Sequence, residues 1–113
     1  MHELSIMQSA LSAALAEAEK ANATRVHVLR LRVGALSGVV PEALEFAFET
    51  LSQGTPAQGA RLAIEPVPAR FRCVPCDHEF VVEDMLVVCP ACGGSNAELR
   101  AGRELEIASL EVD

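Results

Sequence analysis

Two groups of residues in this chain could do chemistry. The first is the pair CVPC (73–76) and CPAC (89–92), which together hold all four cysteines. Zn²⁺ prefers four soft donors in a tetrahedron, and each C-x-x-C turn presents two thiolates on one side. The intervening segment, with Phe80, Val81, Val82, Leu86 and Val87, reads as a hairpin that folds the two pairs together. Four protein ligands at Cys73, Cys76, Cys89 and Cys92 would close the shell, so the ion would stabilise folding rather than activate water. Gly93 and Gly94 let the backbone wrap close to the sulfurs, a knuckle shared by zinc ribbons and iron rubredoxins, and spacing alone separates those two metals poorly. Redox exchange is a weaker rival, since a single C-x-x-C at a helix start suits it better. His78 reads as an exposed residue beside the already filled tetrahedron.

The second group is the opening MHE. A free α-amine, the backbone nitrogens that follow and the His2 imidazole can form fused chelate rings in one plane, a nitrogen-rich tetragonal set that suits Ni(II) or Cu(II). Met1 is expected to survive processing because His2 is bulky. Glu3 could add its carboxylate or its amide nitrogen. On spacing alone the plainer readings are the stronger: His2 as a solvated terminal residue, Glu3 as an acid favoured at the positive end of a helix. His27 reads as a buried or edge-strand histidine rather than a ligand.

These residues need elements to hold them. Leu4, Met7, Leu11, Ala14, Leu15 and Ala18 recur at steps of three and four, so residues 4–18 read as an amphipathic helix whose stripe packs into a core. Residues 25–33 read as a strand, with His27, Leu29, Leu31 and Val33 on one face and Val28, Arg30 and Arg32 on the other. Pro41 suits a first helical turn, and Leu44, Ala47, Phe48 and Leu51 carry a second helix over roughly 41–52. Residues 60–67 read as a strand ending at Pro66 and Pro68. In the final RELEIASLEVD, Leu105 and Ile107 are in one phase and Leu110 and Val112 in the other, which implies a strand with a bulge near Ser109. The expected fold class is α+β: two helices packed on a small three-stranded sheet, interrupted by the cysteine module as an inserted zinc ribbon.

Composition narrows the function. A chain of 113 residues, half of them apolar, can bury one small core. Residues 1–70 hold seven acids and six bases, whereas 71–113 hold nine acids and three bases. The sign is wrong for a nucleic-acid footprint, and with no Trp, no Tyr and four Phe there is little to stack bases on. No apolar run is long enough for a membrane span and the start lacks the basic and apolar regions of a signal peptide, so a cytoplasmic protein is expected.

MHELSIMQSAL, VLRLRVGALSGVVPEALEFAF, GARLAIEPVPARFRC and the two cysteine pairs, taken in order, resemble the HypA/HybF family of nickel-insertion accessory proteins for [NiFe]-hydrogenase maturation. The likeness covers nearly the whole chain. It implies an α/β nickel-binding domain (1–69 plus 101–113) and a zinc-binding domain (70–100). It also implies a nickel site at Met1 (through its amine), His2 and Glu3, and zinc at the four cysteines. The implied role is a metallochaperone that passes Ni²⁺ to the [NiFe]-hydrogenase large subunit together with a HypB-type maturation GTPase, some relatives also serving urease. No reaction would be catalysed, and the chain has no P-loop pattern of its own.

Two other classes stay open at this level. A zinc-ribbon protein-interaction module without nickel transfer would make MHE incidental. An enzyme would need a titratable cluster beyond the metals, and His2, His27 and His78 fall on different predicted elements.

Overall fold

The computed structural model describes residues 2–113. In chain order the elements are α1 (Glu3–Lys20), β1 (Val26–Gly34), α2 (Pro41–Leu51), β2 (Arg61–Val67), β3 (Ala69–Cys73), β4 (Glu79–Val82), β5 (Ala97–Ala101) and β6 (Leu105–Val112). They form an α+β fold with two three-stranded sheets, ordered β2-β1-β6 and β4-β3-β5, in a molecule measuring 54 × 25 × 17 Å.

The first sheet carries both helices. β1 and β2 run parallel because α2 crosses over between them, and β6 pairs antiparallel on the other side of β1. Met7, Leu11, Ala14 and Ala18 from α1 meet Leu44, Ala47 and Phe48 from α2 over Val26, Leu29, Leu31 and Val33. Met7, Leu29 and Leu44 are fully buried, each contributing about 1.5–3 kcal/mol of transfer free energy. Leu4, which the periodicity puts on the core stripe, instead stands 57 % exposed in the first turn. Pro66 lies within β2 rather than ending it; β2 is an edge strand, where a missing N–H leaves no partner unpaired.

The expected bulge in β6 is present. Arg30 pairs with Ser109 but Leu31 pairs with Ile107, which leaves Ala108 as the extra residue and swaps the phase. A matching slip on β1, where Val26 pairs with Val112 and Val28 with Glu111, corrects the expectation for His27. The slip turns Val26 inward and His27 outward. His27 is therefore neither buried nor on an edge strand: it is exposed on the central strand, 4.0 Å from the Asp113 carboxylate.

The second sheet has a small core of its own. Cys73, Phe80 and Cys89 are buried, with Phe71, Val82, Val87 and Ala97 against them. The segment between the cysteine pairs is less regular than a full hairpin, since only Glu79–Val82 is a strand and Leu86 is 66 % exposed in the loop beyond it.

Three passes of the chain meet between the sheets. The Gly34 N–H donates to the Glu104 carbonyl (2.7 Å), Ala35 to Val67 (2.9 Å) and Leu36 to Gly102 (2.6 Å). A Cβ on Gly34 would lie 2.1 Å from the Gly102 carbonyl oxygen, so no side chain fits there.

Candidate metal centres

The four cysteines converge. Cys73 closes β3, Cys76 follows in the turn, and Cys89 and Cys92 come from the loop before β5. Both turns have one design. The Asp77 N–H donates to the Cys73 carbonyl and the Cys73 N–H to the His78 carbonyl, each at 2.8 Å; Gly93 to Cys89 and Cys89 to Gly94 repeat the pair at the same length. Each design needs a left-handed residue just past the second cysteine, supplied by Asp77 (φ 64°) and Gly93 (φ 75°), both types that tolerate it. The Sγ atoms of Cys73 and Cys92 lie 3.5 Å apart and those of Cys76 and Cys89 3.6 Å, with all four within 4.8 Å of one another. A tetrahedron with metal–sulfur bonds of ~2.3 Å has edges of about 3.8 Å, so the sulfurs already stand close to the arrangement that a zinc ion requires.

The thiols are not equivalent. At Cys73 the Cys76 N–H favours the thiolate, but burial and the neighbouring sulfurs outweigh it and push the thiol up to about 12. At Cys89 burial opposes ionisation, yet the N–H groups of Cys92 and Ala91 and the adjacent thiols prevail and bring it down to about 7. A metal must therefore displace protons from this site, and the same backbone N–H groups would steady the thiolates once it is bound. His78 lies outside the cluster, exposed and stacked at 6.4 Å on Phe80.

The opening residues take up a different geometry. Met1 lies outside the described residues. His2 is the N-cap of α1: its carbonyl accepts the Ile6 N–H at 3.0 Å, while its exposed imidazole makes no capping bond. The side chain thus has no structural duty in the helix. Glu3 is engaged. Its carboxylate accepts the Val40 N–H at 3.1 Å, and that bond, with one from its own N–H, holds the carboxyl below the ordinary range. Val40 is the N-cap of α2 and has no side chain able to cap, so Glu3 ties the starts of the two helices together. Val40 was not foreseeable as a site neighbour, because it acts through its backbone; the one hint is Pro41 preceded by a residue that cannot cap. The Glu3 amide nitrogen, first in its helix, has no backbone carbonyl partner within the helix and faces its own carboxylate. Among the described residues the only converging group of three or more potential metal ligands is the cysteine cluster, to which His2, Glu3 and His27 do not belong.

Residues 1–112 match the family model described as hydrogenase/urease nickel incorporation, metallochaperone, HypA. The chain belongs to the HypA family. Relatives named hydrogenase maturation factor HypA include one from Picosynechococcus, 46 % identical over 112 residues and covering 99 % of both chains, and one from Geobacter sulfurreducens, 45 % identical over 113 residues with both chains covered fully. Among solved structures, the solution structure of the Ni metallochaperone HypA from Helicobacter pylori aligns with a TM-score of 0.66 at 25 % identity, covering 99 % of this chain and 97 % of that one. A second HypA solution structure aligns at 0.73 and 26 %, covering 99 % and 96 %. The chain is thus a nickel metallochaperone of hydrogenase maturation by family, with a four-cysteine site of zinc-ribbon type. No helix among the described residues is long and apolar enough to cross a membrane.

Proposed function

We propose that this HypA-family chain carries Ni²⁺ as cargo at Met1, His2 and Glu3 and keeps Zn²⁺ as a structural ion at Cys73, Cys76, Cys89 and Cys92. The observation that carries the nickel reading is the His2 imidazole, exposed at the start of α1 and free of any helix-capping bond. A residue with nothing structural to do is available as a ligand. The engagement of the Glu3 carboxylate by Val40 favours a contribution from the Glu3 amide nitrogen, beside the His2 imidazole and the Met1 amine. Ligands exposed at a chain start can be exchanged one at a time, which suits transfer better than a buried cage.

The work divides between two domains, 1–69 plus 101–113 for nickel and 70–100 for zinc, in line with their separate cores. The zinc supplies folding free energy, and its thiolates fill every position at the ion. The chain catalyses no reaction. It passes nickel to the [NiFe]-hydrogenase large subunit with a HypB-type GTPase, in the cytoplasm.

The test is a nickel titration of the zinc-loaded protein with its native start beside a form carrying one extra glycine ahead of Met1. The extension converts the amine into an amide, a far poorer donor, while His2 and Glu3 remain. Nickel affinity should fall sharply with zinc content unchanged. Equal affinities would remove the terminus from the ligand set.

A further inference from the structure

Arg72 is the most enclosed of the ion-paired arginines among the described residues, its side chain 23 % exposed against 38 %, 42 % and 48 % for Arg30, Arg32 and Arg100. It spans two segments. Its Nε donates to the Glu98 carboxylate on β5 at 2.8 Å, and its Nη1 donates to the Asp77 carboxylate in the turn after β3. Asp77 is the left-handed residue of the first knuckle, the one whose N–H closes on the Cys73 carbonyl. Glu98 stands on the strand into which the second knuckle runs. The main chain supports the same link, the Val74 N–H donating to the Asn96 carbonyl at 2.9 Å. Arg72 touches no sulfur: it precedes Cys73 on β3, where successive side chains take opposite faces, and Cys73 is buried. What it fixes is how one cysteine pair is turned relative to the other.

That angle decides which ion the four thiolates suit. Raw affinity separates nickel from zinc poorly, so selection falls to geometry. Zn²⁺ has no geometric preference from its d electrons and accepts the tetrahedron that the fold presents, whereas Ni²⁺ favours a square plane. Four thiolates reach a square plane only when one cysteine pair swings into the plane of the other. Such a swing moves Asp77 against Glu98, and a planar guanidinium that holds both carboxylates at fixed angles opposes it. We propose that Arg72 is a positioning residue for metal selection: by clasping Asp77 to Glu98 it keeps the four-cysteine site tetrahedral, so that the site retains zinc and turns nickel away. The consequence is a separation of cargo from frame. A chain that carries Ni²⁺ at its start and four thiolates elsewhere would otherwise trap its own cargo in the closed site.

This inference rests on the assignment of zinc to the cysteines, which the metal content of the parent checks before any nickel is added. The test is metal exchange on the zinc-loaded full chain. Excess nickel chloride is added to the parent, to Arg72→Met and to Arg70→Met, and thiolate-to-nickel charge-transfer absorption is followed beside zinc release. That absorption reports nickel on sulfur alone, so nickel held at the chain start does not enter it. Arg72→Met keeps an apolar stem and removes the fork, while Arg70→Met removes a charge from the same face of the same strand. Nickel should replace zinc at least tenfold faster in Arg72→Met, with the ligand-field bands of a square-planar ion, and Arg70→Met should match the parent. Glu98→Met opens the clasp from β5 and carries the same expectation, should Arg72→Met fail to take up one zinc with the parent's far-UV spectrum. Exchange at the parent's rate in the zinc-loaded variants, equal acceleration by Arg70→Met, or faster zinc loss with no nickel on sulfur would each overturn the proposal, the last by reducing Arg72 to a support of the sheet. A parent that takes up no zinc would overturn both the assignment and this inference.

Discussion

His2 occupies the position in α1 where asparagine, serine or aspartate would ordinarily accept one of the unpaired N–H groups of the first turn, and its imidazole does not do so. Replacing it with asparagine should therefore act in opposite directions on stability and on function. Losing a productive cap costs about 0.5–2 kcal/mol in measured cases, so gaining one here is worth about 0.5–1 kcal/mol. In a domain of this size that corresponds to a rise in Tm of roughly 2–4 °C. The imidazole is exposed and its removal empties no core space, so no cavity cost offsets the gain. Nickel affinity should meanwhile fall by more than about 100-fold, since losing even an outer-shell partner of a metal ligand costs 10–100-fold. The assay is paired: thermal unfolding by circular dichroism without nickel, and nickel titration by calorimetry, both on zinc-loaded protein with a native start. A Tm lowered by more than a few degrees would show that His2 supports the fold. Unchanged nickel affinity would show that it is not a ligand. Either result refutes the reasoning.

Other outcomes follow from the same geometry. Because the Glu3 carboxyl is held below its ordinary range, its bond to Val40 stabilises the fold above the unfolded-state carboxylate pKa of ~4.3 and is lost as pH falls through the lower folded value. The Tm gap between the parent and Glu3→Gln should accordingly be present at pH 7 and close on acidification, and a gap that persists at pH 3 would contradict the assignment. One zinc per chain is expected, with release of protons on binding; chelation or Cys73→Ala should unfold β3 to β5 while α1 and α2 keep their helix signal, since structural zinc contributes on the order of 10 kcal/mol. Metal analysis and far-UV spectra check this, and iron in the purified protein would count against it. Gly93→Ala forces a side chain into φ 75° at a knuckle without touching a thiolate, at a cost of roughly 1–2 kcal/mol, and competition with a chromophoric chelator should read it as weaker zinc retention.

The elements of the first sheet were legible because each obeys a single period. The α1 stripe, the Pro41 start of α2 and the phase change in LEIASLEV all appear in the structure at or within a few residues of their expected places. His27 was misplaced because a bulge on β1 shifts its phase, and the compensating partner strand lies some eighty residues away in sequence. The cysteine pairs announced their cluster through spacing. The strands around them did not, because β4 and β5 are only four and five residues long, and an alternation as short as Ala97, Leu99 and Ala101 carries little signal by itself. At the chain start the chemistry of His2 was readable, whereas the tie from Glu3 to Val40 was not: its donor is a backbone N–H, which carries no residue signature.

The crossing at Gly34 and Gly102 has a consequence for how such a molecule can vary. The joint between the two sheets is made of main chain: three N–H to carbonyl bonds join residues 34–36 to 67, 102 and 104, and a Cβ at Gly102 would come within 2.9 Å of the Ala69 Cα. One side chain reinforces it, the Glu104 carboxylate accepting the Gly102 N–H at 2.7 Å. Residues of either sheet away from the bend can change without meeting these hydrogen bonds. The small residues at the bend, Gly34 and Gly102 above all, are the ones barred from change, since a side chain at either would meet main chain.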